Sequence, residues 1–270
     1  MAGPEFVAPS DVAASDAVVL DCRFSLADEG EGERSFLAGH IPGARYLHLN
    51  RDLSGPLGEH GGRHPMPNTA LFAQTLAERG VGLDTPVILY DDSRYAFAAR
   101  AWWMMRALGY RQPAFLEGGY ASWLNQGGAP QAGELTAPAL AAPSVREDWP
   151  LWCDREGLRA LQAAGAQLID AREAPRYRGE IEPIDPVAGH IPGADNVPWS
   201  DLFDGEGALL SPERLKALWG RHGEADPLVV YCGSGVTACV DLLALALIGR
   251  EDAWLYGGSW SDWCSYLPRD

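Results

Sequence analysis

One cysteine of the chain stands where the backbone could activate a thiol. Cys232 follows the apolar run LVVY at residues 228–231, which predicts a buried strand. The run ACVDLLALAL at residues 238–247 predicts a buried helix, and the glycine-rich turn GSGVT lies between cysteine and helix. Such a turn points successive backbone N–H groups into one concavity at a helix N-terminus. We expect five residues to form this cradle: Gly233, Ser234, Gly235, Val236 and Thr237.

A backbone cradle of this kind would stabilise a thiolate, which is the nucleophilic form of cysteine. The alternative is a buried cysteine that packs as a small apolar residue. Packing is the interpretation we give to Cys239, which lies within the predicted helix. The remaining cysteines have no neighbouring feature that would activate them: Cys22, Cys153 and Cys264.

The composition limits the classes of function that the chain could have. The 270 residues carry a net charge of -16, which argues against nucleic acid or an anionic membrane surface as a partner. No apolar run approaches membrane-spanning length, and the start MAGPEFVAPS has no signal-peptide pattern, so we expect a soluble cytoplasmic protein. Five cysteines without a CxxC pair predict neither a disulfide scaffold nor a zinc site.

An internal repeat divides the chain. The hexapeptide GHIPGA occurs at residues 39–44 and again at 189–194, 150 positions later. Three other pairs of segments recur in the same order: VVLDCR (18–23) and QLIDAR (167–172), PVILYDDS (86–93) and PLVVYCGS (227–234), LEGGY (116–120) and LYGGS (255–259). The repeat predicts a duplicated domain, because solenoid repeats have much shorter periods.

The domain organisation follows from this repeat and from a stretch rich in alanine and proline. We predict a first domain at residues 1–130, a linker at 131–148 and a second domain at 149–270. In each half, apolar strands alternate with helical stretches. The fold class is therefore α/β, with two tandem domains, each a mostly parallel sheet with helices on both faces. Sites in such sheets form at the carboxyl ends of strands, where Cys232 lies.

The two halves differ at the position of the cysteine. Alignment on the preceding tyrosine places Asp91 opposite Cys232, so only the second half can perform thiol chemistry. The first loop, DDSRYAFAAR, also lacks the glycines that let a backbone curl around an anion. We therefore expect the first domain to be a structural partner without an anion cradle.

These motifs resemble the two-domain rhodanese-like sulfurtransferases, and the loop CGSGVTA resembles that of the 3-mercaptopyruvate sulfurtransferases. The resemblance covers almost the whole chain and rests on the duplicated GHIPGA, Asp91, the Cys232 loop, WW at 102–103 and GSWSDW at 258–263. It implies that the cysteine takes a sulfane sulfur from 3-mercaptopyruvate or thiosulfate and carries it as a persulfide. A thiol, cyanide or a dithiol protein such as thioredoxin would accept the sulfur, and no metal or organic cofactor is implied.

The resemblance also suggests which residue binds the donor. Arg176 matches the substrate arginine of the family, and arginine suits a carboxylate better than lysine does. The alternative for Arg176 is a surface ion pair with Glu173 or Glu180. Arg172 belongs to the scaffold in this interpretation, because Arg23 occupies its place in the first half.

Two positions bear on the preferred donor. Thiosulfate-preferring relatives carry basic side chains where this chain has Gly233 and Ser234, so a neutral loop favours a donor with less charge near the sulfur, such as mercaptopyruvate. Asp185, however, occupies the place where many mercaptopyruvate enzymes carry a second arginine. This difference weakens the assignment of mercaptopyruvate and leaves that of sulfur transfer unaffected.

A serine, histidine and aspartate relay is proposed for some family members. Ser234 and His64 match the serine and the histidine, whereas Asn50 stands in the place of the aspartate and Asp52 is a substitute. The alternative is that His64 only lines a cleft between the two domains.

Two other classes of function use a cysteine in this setting. A phosphatase loop reads C-x5-R, and the arginine that would bind phosphate falls on Ala238 here, which argues against that class. The second class is a redox-sensing or binding module without turnover, with Cys232 as the sensor, and a redox sensor usually has a resolving thiol nearby. Cys239, seven residues away on the predicted helix, is distant for that role.

Overall fold

A computed structural model describes residues 3–134 and 138–268 of the chain. The remaining residues lie outside this description, and they include part of the predicted linker and the outermost ends of both predicted domains: 1–2, 135–137 and 269–270.

The chain forms two compact units, and one segment from the first half of the sequence, Pro56–Met66, belongs to the second unit. We call it the exchanged segment. The first unit comprises the residues up to Gly55 together with Pro67–Pro150. The second comprises Pro56–Met66 together with the residues from Leu151 onward. The domain limits 1–130, 131–148 and 149–270 stay a prediction.

The first unit contains a parallel five-stranded sheet. Its strands are β1 (Glu5–Val7), β2 (Val18–Asp21), β3 (Arg45–Tyr46), β4 (Val87–Tyr90) and β5 (Ala114–Leu116). Its helices are α1 (Glu31–Ala38), α2 (Leu49–Asp52), α3 (Thr69–Glu78), α4 (Ala98–Ala107) and α5 (Gly119–Asn125), with a 3₁₀ helix at Pro9–Ala14. The strand order is β1-β5-β4-β2-β3, and every pairing is parallel.

The second unit repeats this plan. Its strands are β6 (Trp152–Cys153), β7 (Gln167–Asp170), β8 (Ala194–Asn196), β9 (Leu228–Tyr231) and β10 (Trp254–Tyr256). Its helices are α6 (Arg155–Ala163), α7 (Ala174–Tyr177), α8 (Pro212–Trp219), α9 (Ala238–Leu247) and α10 (Ser259–Trp263), with 3₁₀ helices at Trp199–Leu202, Gly220–Glu224 and Cys264–Tyr266. The order β6-β10-β9-β7-β8 matches that of the first sheet strand for strand.

The sequence pattern explains the central strands. All four residues of β4 and all four of β9 are buried, as expected for parallel strands covered on both faces. The predicted α/β fold with two duplicated parallel-sheet domains is thereby confirmed.

The repeated hexapeptide forms the same turn in both units. Gly43 and Gly193 have φ angles of 82° and 83°, a left-handed conformation that glycine adopts without steric cost. The histidine of each copy is structural, since Nδ1 of His40 donates to the Phe36 carbonyl and Nδ1 of His190 to the Tyr177 carbonyl, both at 2.8 Å.

The helices begin where capping side chains are available. The Asn68 side chain accepts hydrogen bonds from two backbone N–H groups at the start of α3. Ser211 caps α8 by accepting from the Arg214 N–H. In the described parts of residues 127–150 we find no helix or strand, apart from an isolated bridge between His40 and Gln131. Among the described residues, no helix is long and apolar enough to cross a membrane.

Candidate active site

The nucleophile candidate lies at the carboxyl end of the central strand β9. Cys232 follows β9 directly, and α9 begins at Ala238, as the sequence predicted. The Cys232 side chain is buried, and its Sγ accepts a hydrogen bond from the Gly235 N–H at 3.2 Å. Gly235 has a φ of 77°, so the turn uses the left-handed conformation for which glycine is suited. At least one backbone N–H of the predicted cradle therefore faces the sulfur.

The segment after β10 holds the cysteine loop in place. The Cys232 N–H donates to Oγ of Ser259 at 3.1 Å, and Ser259 Oγ donates to the Tyr256 carbonyl at 2.9 Å. The backbone N–H groups of Trp260 and Ser261 donate to the carbonyls of Cys232 and Gly233 at 3.0 and 2.9 Å. In the sequence we identified the motif GSWSDW but did not predict that Ser259 holds the cysteine loop.

The corresponding loop of the first unit encloses its own carboxylate. Asp91 is fully buried, and its two oxygens accept hydrogen bonds from four backbone N–H groups at 2.9–3.0 Å: those of Ser93, Tyr95, Phe97 and Ala98. The expectation that a glycine-poor loop would not curl around an anion is wrong. Arg94 and Tyr95 adopt left-handed φ angles of 53° and 63°, and the hydrogen bonds to the carboxylate offset the strain.

The structure brings together two of the predicted relay residues. Nδ1 of His64 and Oγ of Ser234 lie 2.8 Å apart, within hydrogen-bond distance, and both side chains are buried. His64 belongs to the exchanged segment Pro56–Met66 and therefore to the same compact unit as Ser234. Asn50 and Asp52 belong to the other unit, where Asp52 accepts hydrogen bonds from the Arg79 side chain and the His48 N–H.

The exchanged segment is fixed to the start of α10 by backbone hydrogen bonds. The Gly61 N–H donates to Asp262 at 2.7 Å, and the Arg63 N–H donates to Oγ of Ser261 at 3.1 Å. Because the Ser261 N–H in turn holds the carbonyl of Gly233, this segment and the cysteine loop share one support.

Arg176 lies in a partly buried network of ion pairs. Its Nη2 donates to Glu182 at 2.7 Å and to Asp185 at 3.2 Å, and 12% of its side chain is exposed. The suggested surface partners have other contacts, since Glu173 accepts from Trp199 and Glu180 from Arg178. Arg176 is therefore held by Glu182 and Asp185, and not by the two acids that the alternative interpretation of the sequence proposed.

Arg172 behaves as a scaffold residue, in agreement with the sequence interpretation. Its guanidinium is almost fully buried and forms a bidentate pair with Asp170. Arg23 and Asp21 form the equivalent pair in the first unit.

Arg63 is a second cation at the site that sequence reasoning missed. It pairs with Asp185, the residue whose negative charge had weakened the assignment of the donor. A Cβ atom built on Gly233 would lie 3.1 Å from Arg63 Nη2 and 3.5 Å from each terminal nitrogen of Arg176. Two guanidinium groups thus stand beside the residue that follows the nucleophile. Burial lowers the pKa of Arg63, and the nearby Cys232 acts in the opposite direction; arginine stays protonated in proteins.

Comparison with known proteins decides the family. The model of the rhodanese-like domain matches the chain twice, at residues 9–126 and 154–266. The chain belongs to the rhodanese-like sulfurtransferases. Among them, the chain is 46% identical over 254 residues to the "Probable 3-mercaptopyruvate sulfurtransferase" of Pseudomonas aeruginosa, covering 92% of this chain and 89% of that protein. It is 35% identical to the thiosulfate sulfurtransferase of Gallus gallus, covering 93% of this chain and 87% of that protein.

A solved structure of this family has the same fold. The crystal structure of SseA from Escherichia coli, described as a 3-mercaptopyruvate sulfotransferase, superposes with a TM-score of 0.80 at 32% identity. The match covers 96% of this chain and 99% of that one. Membership of the rhodanese-like sulfurtransferases, inferred from the duplicated hexapeptide and the cysteine loop, is confirmed.

Proposed function

We propose that the chain transfers the thiol sulfur of 3-mercaptopyruvate to a thiol acceptor through a persulfide, with Cys232 as the nucleophile and thiosulfate as a second donor. One observation carries this proposal above the others. The sulfur of Cys232 lies in a backbone turn, and the next residue, Gly233, is flanked by the guanidinium groups of Arg63 and Arg176. A thiol donor that bears a carboxylate fits this combination of sulfur and cations.

The first half-reaction moves the donor sulfur to the enzyme. The Cys232 thiolate attacks the sulfur of 3-mercaptopyruvate, and a sulfur–sulfur bond forms as the carbon–sulfur bond breaks. The electron pair of the broken bond leaves as the enolate of pyruvate, which takes up a proton to give pyruvate. The thiol proton of the donor is lost to solvent or to a basic group, so Cys232 is left as a persulfide anion.

Ser234 and His64 are the groups that supply protons in this proposal. Their hydrogen-bond distance of 2.8 Å lets a proton pass between the serine hydroxyl, which belongs to the cysteine loop, and the imidazole. This role does not require an aspartate in the place of Asn50.

The second half-reaction returns the enzyme to its starting state. An acceptor thiolate attacks the outer sulfur of the persulfide, and the Cys232 thiolate departs. A dithiol protein such as thioredoxin suits this step, because its second thiol can release the sulfur as sulfide. We place the enzyme in the cytoplasm, where thiols stay reduced, since the chain carries five free cysteines and the reaction needs Cys232 unoxidised.

The loop of the first unit supports the assignment of an anion to the cysteine loop. Asp91 occupies the position that corresponds to Cys232, and its carboxylate is held by four backbone N–H groups. In the second unit, the amides of residues 233–237 would hold a persulfide anion on Cys232.

The proposal is tested by comparing kcat/KM for 3-mercaptopyruvate and thiosulfate, with a reducing thiol as acceptor. We expect Cys232→Ser to abolish turnover of both donors and Cys153→Ser, the same change at a buried cysteine of β6, to leave it near the wild-type value. Turnover that survives in the Cys232→Ser protein would exclude the mechanism. A wild-type protein inactive with both donors would favour a redox-sensing module instead.

A further inference from the structure

We propose that Arg63 is a second donor-binding residue, which holds the donor carboxylate together with Arg176, and that Asp185 positions it. This inference rests on the proposed function, since it concerns the same donor. It assigns to Asp185 the role of a bridge between two cations rather than that of a contact with the donor.

The carboxylate of Asp185 connects the two arginines. Its Oδ1 accepts from Arg63 Nη1, and its Oδ2 accepts from Arg176 Nη2 at 3.2 Å. Only 2% of the Asp185 side chain is exposed, so the bridge is shielded from water. Glu182 holds the other side of Arg176 at 2.7 Å and accepts from the Asp185 N–H at 3.1 Å, which fixes the bridge in place. Both guanidinium groups are therefore oriented before a donor arrives.

The glycine at position 233 provides the space into which both cations point. The Arg63 Nη2 and both terminal nitrogens of Arg176 lie 3.1–3.5 Å from where a Cβ of Gly233 would be, so a larger side chain there would displace them. Arg63 is also the more accessible of the two, with 31% of its side chain exposed against 12% for Arg176. A carboxylate coming from solvent can reach Arg63 Nη2 without breaking its contact with Asp185 through Nη1.

The charges of this ion-pair network indicate how it binds a donor. Three arginines face three acids in an alternating series: Asp170, Arg172, Glu182, Arg176, Asp185 and Arg63. The series has no formal excess of positive charge, so a donor is selected by hydrogen-bond geometry and not by total charge. A carboxylate can accept a hydrogen bond from each of the two guanidinium groups, those of Arg63 and Arg176.

The first experiment measures donor kinetics in Arg63→Gln and Arg63→Lys. We expect the KM for 3-mercaptopyruvate to rise about 10- to 100-fold in Arg63→Gln, with a smaller rise in Arg63→Lys, because one charge-assisted hydrogen bond is lost or misaligned. The kcat should change much less, since the carboxylate is held equally in the ground and transition states. The matched control is Arg178→Gln, an exposed arginine of the same unit that pairs with Glu180. An unchanged KM in Arg63→Gln would overturn the proposal.

The second experiment reports the carboxylate contact without any turnover. Iodoacetate and iodoacetamide alkylate a thiol alike but differ in the carboxylate, so the ratio of their rates at Cys232 measures the cations around it. We expect this ratio to fall about tenfold in Arg63→Gln and to stay at the wild-type value in Arg178→Gln. A fall in both rates alike would mean a disturbed loop and would overturn a donor-binding role. If wild type shows no sulfur transfer, the proposed function fails, while the rate ratio still decides whether Arg63 binds a carboxylate.

Asp185→Ala separates positioning from simple neutralisation. If Asp185 positions Arg63, its loss should raise the KM for mercaptopyruvate and lower the alkylation ratio, as in Arg63→Gln. If Asp185 only cancels charge, its removal leaves an excess cation and the ratio rises. The second result would overturn the positioning role. Thermal unfolding of each variant verifies that it is folded when assayed.

Discussion

At the scale of single residues, Ser259 shows how the chain accepts local strain to hold its nucleophile. Its φ of 56° is left-handed, a conformation that costs a residue with a Cβ about 1–2 kcal/mol. In the first unit, Gly119 occupies the corresponding position and has a φ of 64°. The N–H of the residue after it, Tyr120, donates to the Asp91 carbonyl, just as the Trp260 N–H donates to the Cys232 carbonyl. The serine offers what a glycine cannot, an oxygen that accepts the N–H of Cys232. The strain is thus linked to the loop that carries the chemistry.

The cost of this conformation can be measured with two substitutions at Ser259. Both Ser259→Ala and Ser259→Gly lose the hydrogen bond to Cys232, but only glycine relieves the strained backbone. We expect the alanine variant to be less stable than the glycine variant by about 1 kcal/mol in chemical denaturation. Equal stability of the two would show that the backbone at this position relaxes on substitution.

The residues of the site differ in how far sequence could reveal them. Cys232 was found because its neighbours in the chain, an apolar strand and a glycine-rich turn, supply its environment. Arg63 was missed because its partner Asp185 is 122 positions away, and local pattern carries no information about such a pair. The available signal was the acid itself, since an aspartate in the place of a donor-binding arginine suggests that the missing positive charge comes from elsewhere in the chain.

At the scale of elements, α9 contains an acid for which the mechanism has no use. Asp241 lies in the first turn of α9 and is fully buried, and neither of its oxygens has a hydrogen-bond partner among residues 3–134 and 138–268. Burial raises the pKa of its carboxyl well above the usual range, and the proximity of Cys232 acts in the same direction. The favourable position near a helix N-terminus does not offset this burial.

This carboxyl predicts a pH-dependent loss of stability. Because its pKa is higher in the folded than in the unfolded chain, its contribution to stability is full below the unfolded value of 3.8 and is lost as pH rises through the folded value. We expect Asp241→Asn to raise the free energy of unfolding by about 1–3 kcal/mol at pH 8 and by much less near pH 4. Denaturant titrations at the two pH values measure the difference.

The control for this prediction is Glu206→Gln, at an exposed acid of the same unit that does not act on the Asp241 carboxyl. It should change stability little at either pH. If Asp241→Asn is less stable than wild type at pH 8, the carboxyl has a stabilising role that burial and charge do not explain.

Sequence patterns predicted the regular elements of the site better than its loops. The strand β9 and the helix α9 have the predicted bounds. Four consecutive apolar residues favour a buried strand, and a ten-residue run that is apolar apart from Asp241 favours a buried helix. The Asp91 loop was misjudged because glycine content was taken as the condition for a curled backbone. Four hydrogen bonds to a carboxylate provide the same curvature by another route.

At the scale of the whole molecule, the two units carry different chemical groups at corresponding strand ends, directly after β4 and β9. The first unit carries the permanent carboxylate of Asp91. The second carries the Cys232 thiol, which gains and then loses a second sulfur atom in the proposed cycle. The strand orders are the same in both units, but the loops differ in backbone as well as in side chain, since residues 91–97 join β4 to α4 and residues 232–237 join β9 to α9.

The structural role of the permanent carboxylate can be tested separately from catalysis. Asp91→Ala leaves four buried N–H groups without their acceptor, and we expect a loss of about 2–4 kcal/mol in the free energy of unfolding. Alkylation of Cys232 by iodoacetamide should keep its wild-type rate, because Asp91 belongs to the other unit. Asp92→Ala, at an exposed neighbour, is the matched control. A slower alkylation in Asp91→Ala alone would link this carboxylate to the nucleophile.

The exchange of the segment Pro56–Met66 has a consequence for how the protein is made. Arg63 and His64 leave the ribosome early, yet Ser234, the partner of His64, follows 170 residues later. At translation speeds of about 5–20 residues per second, this interval lasts roughly 10–30 s. Until Asp185 and Ser234 are synthesised, the segment lacks the partners of Arg63 and His64. The donor site is accordingly among the last parts of the molecule to become complete.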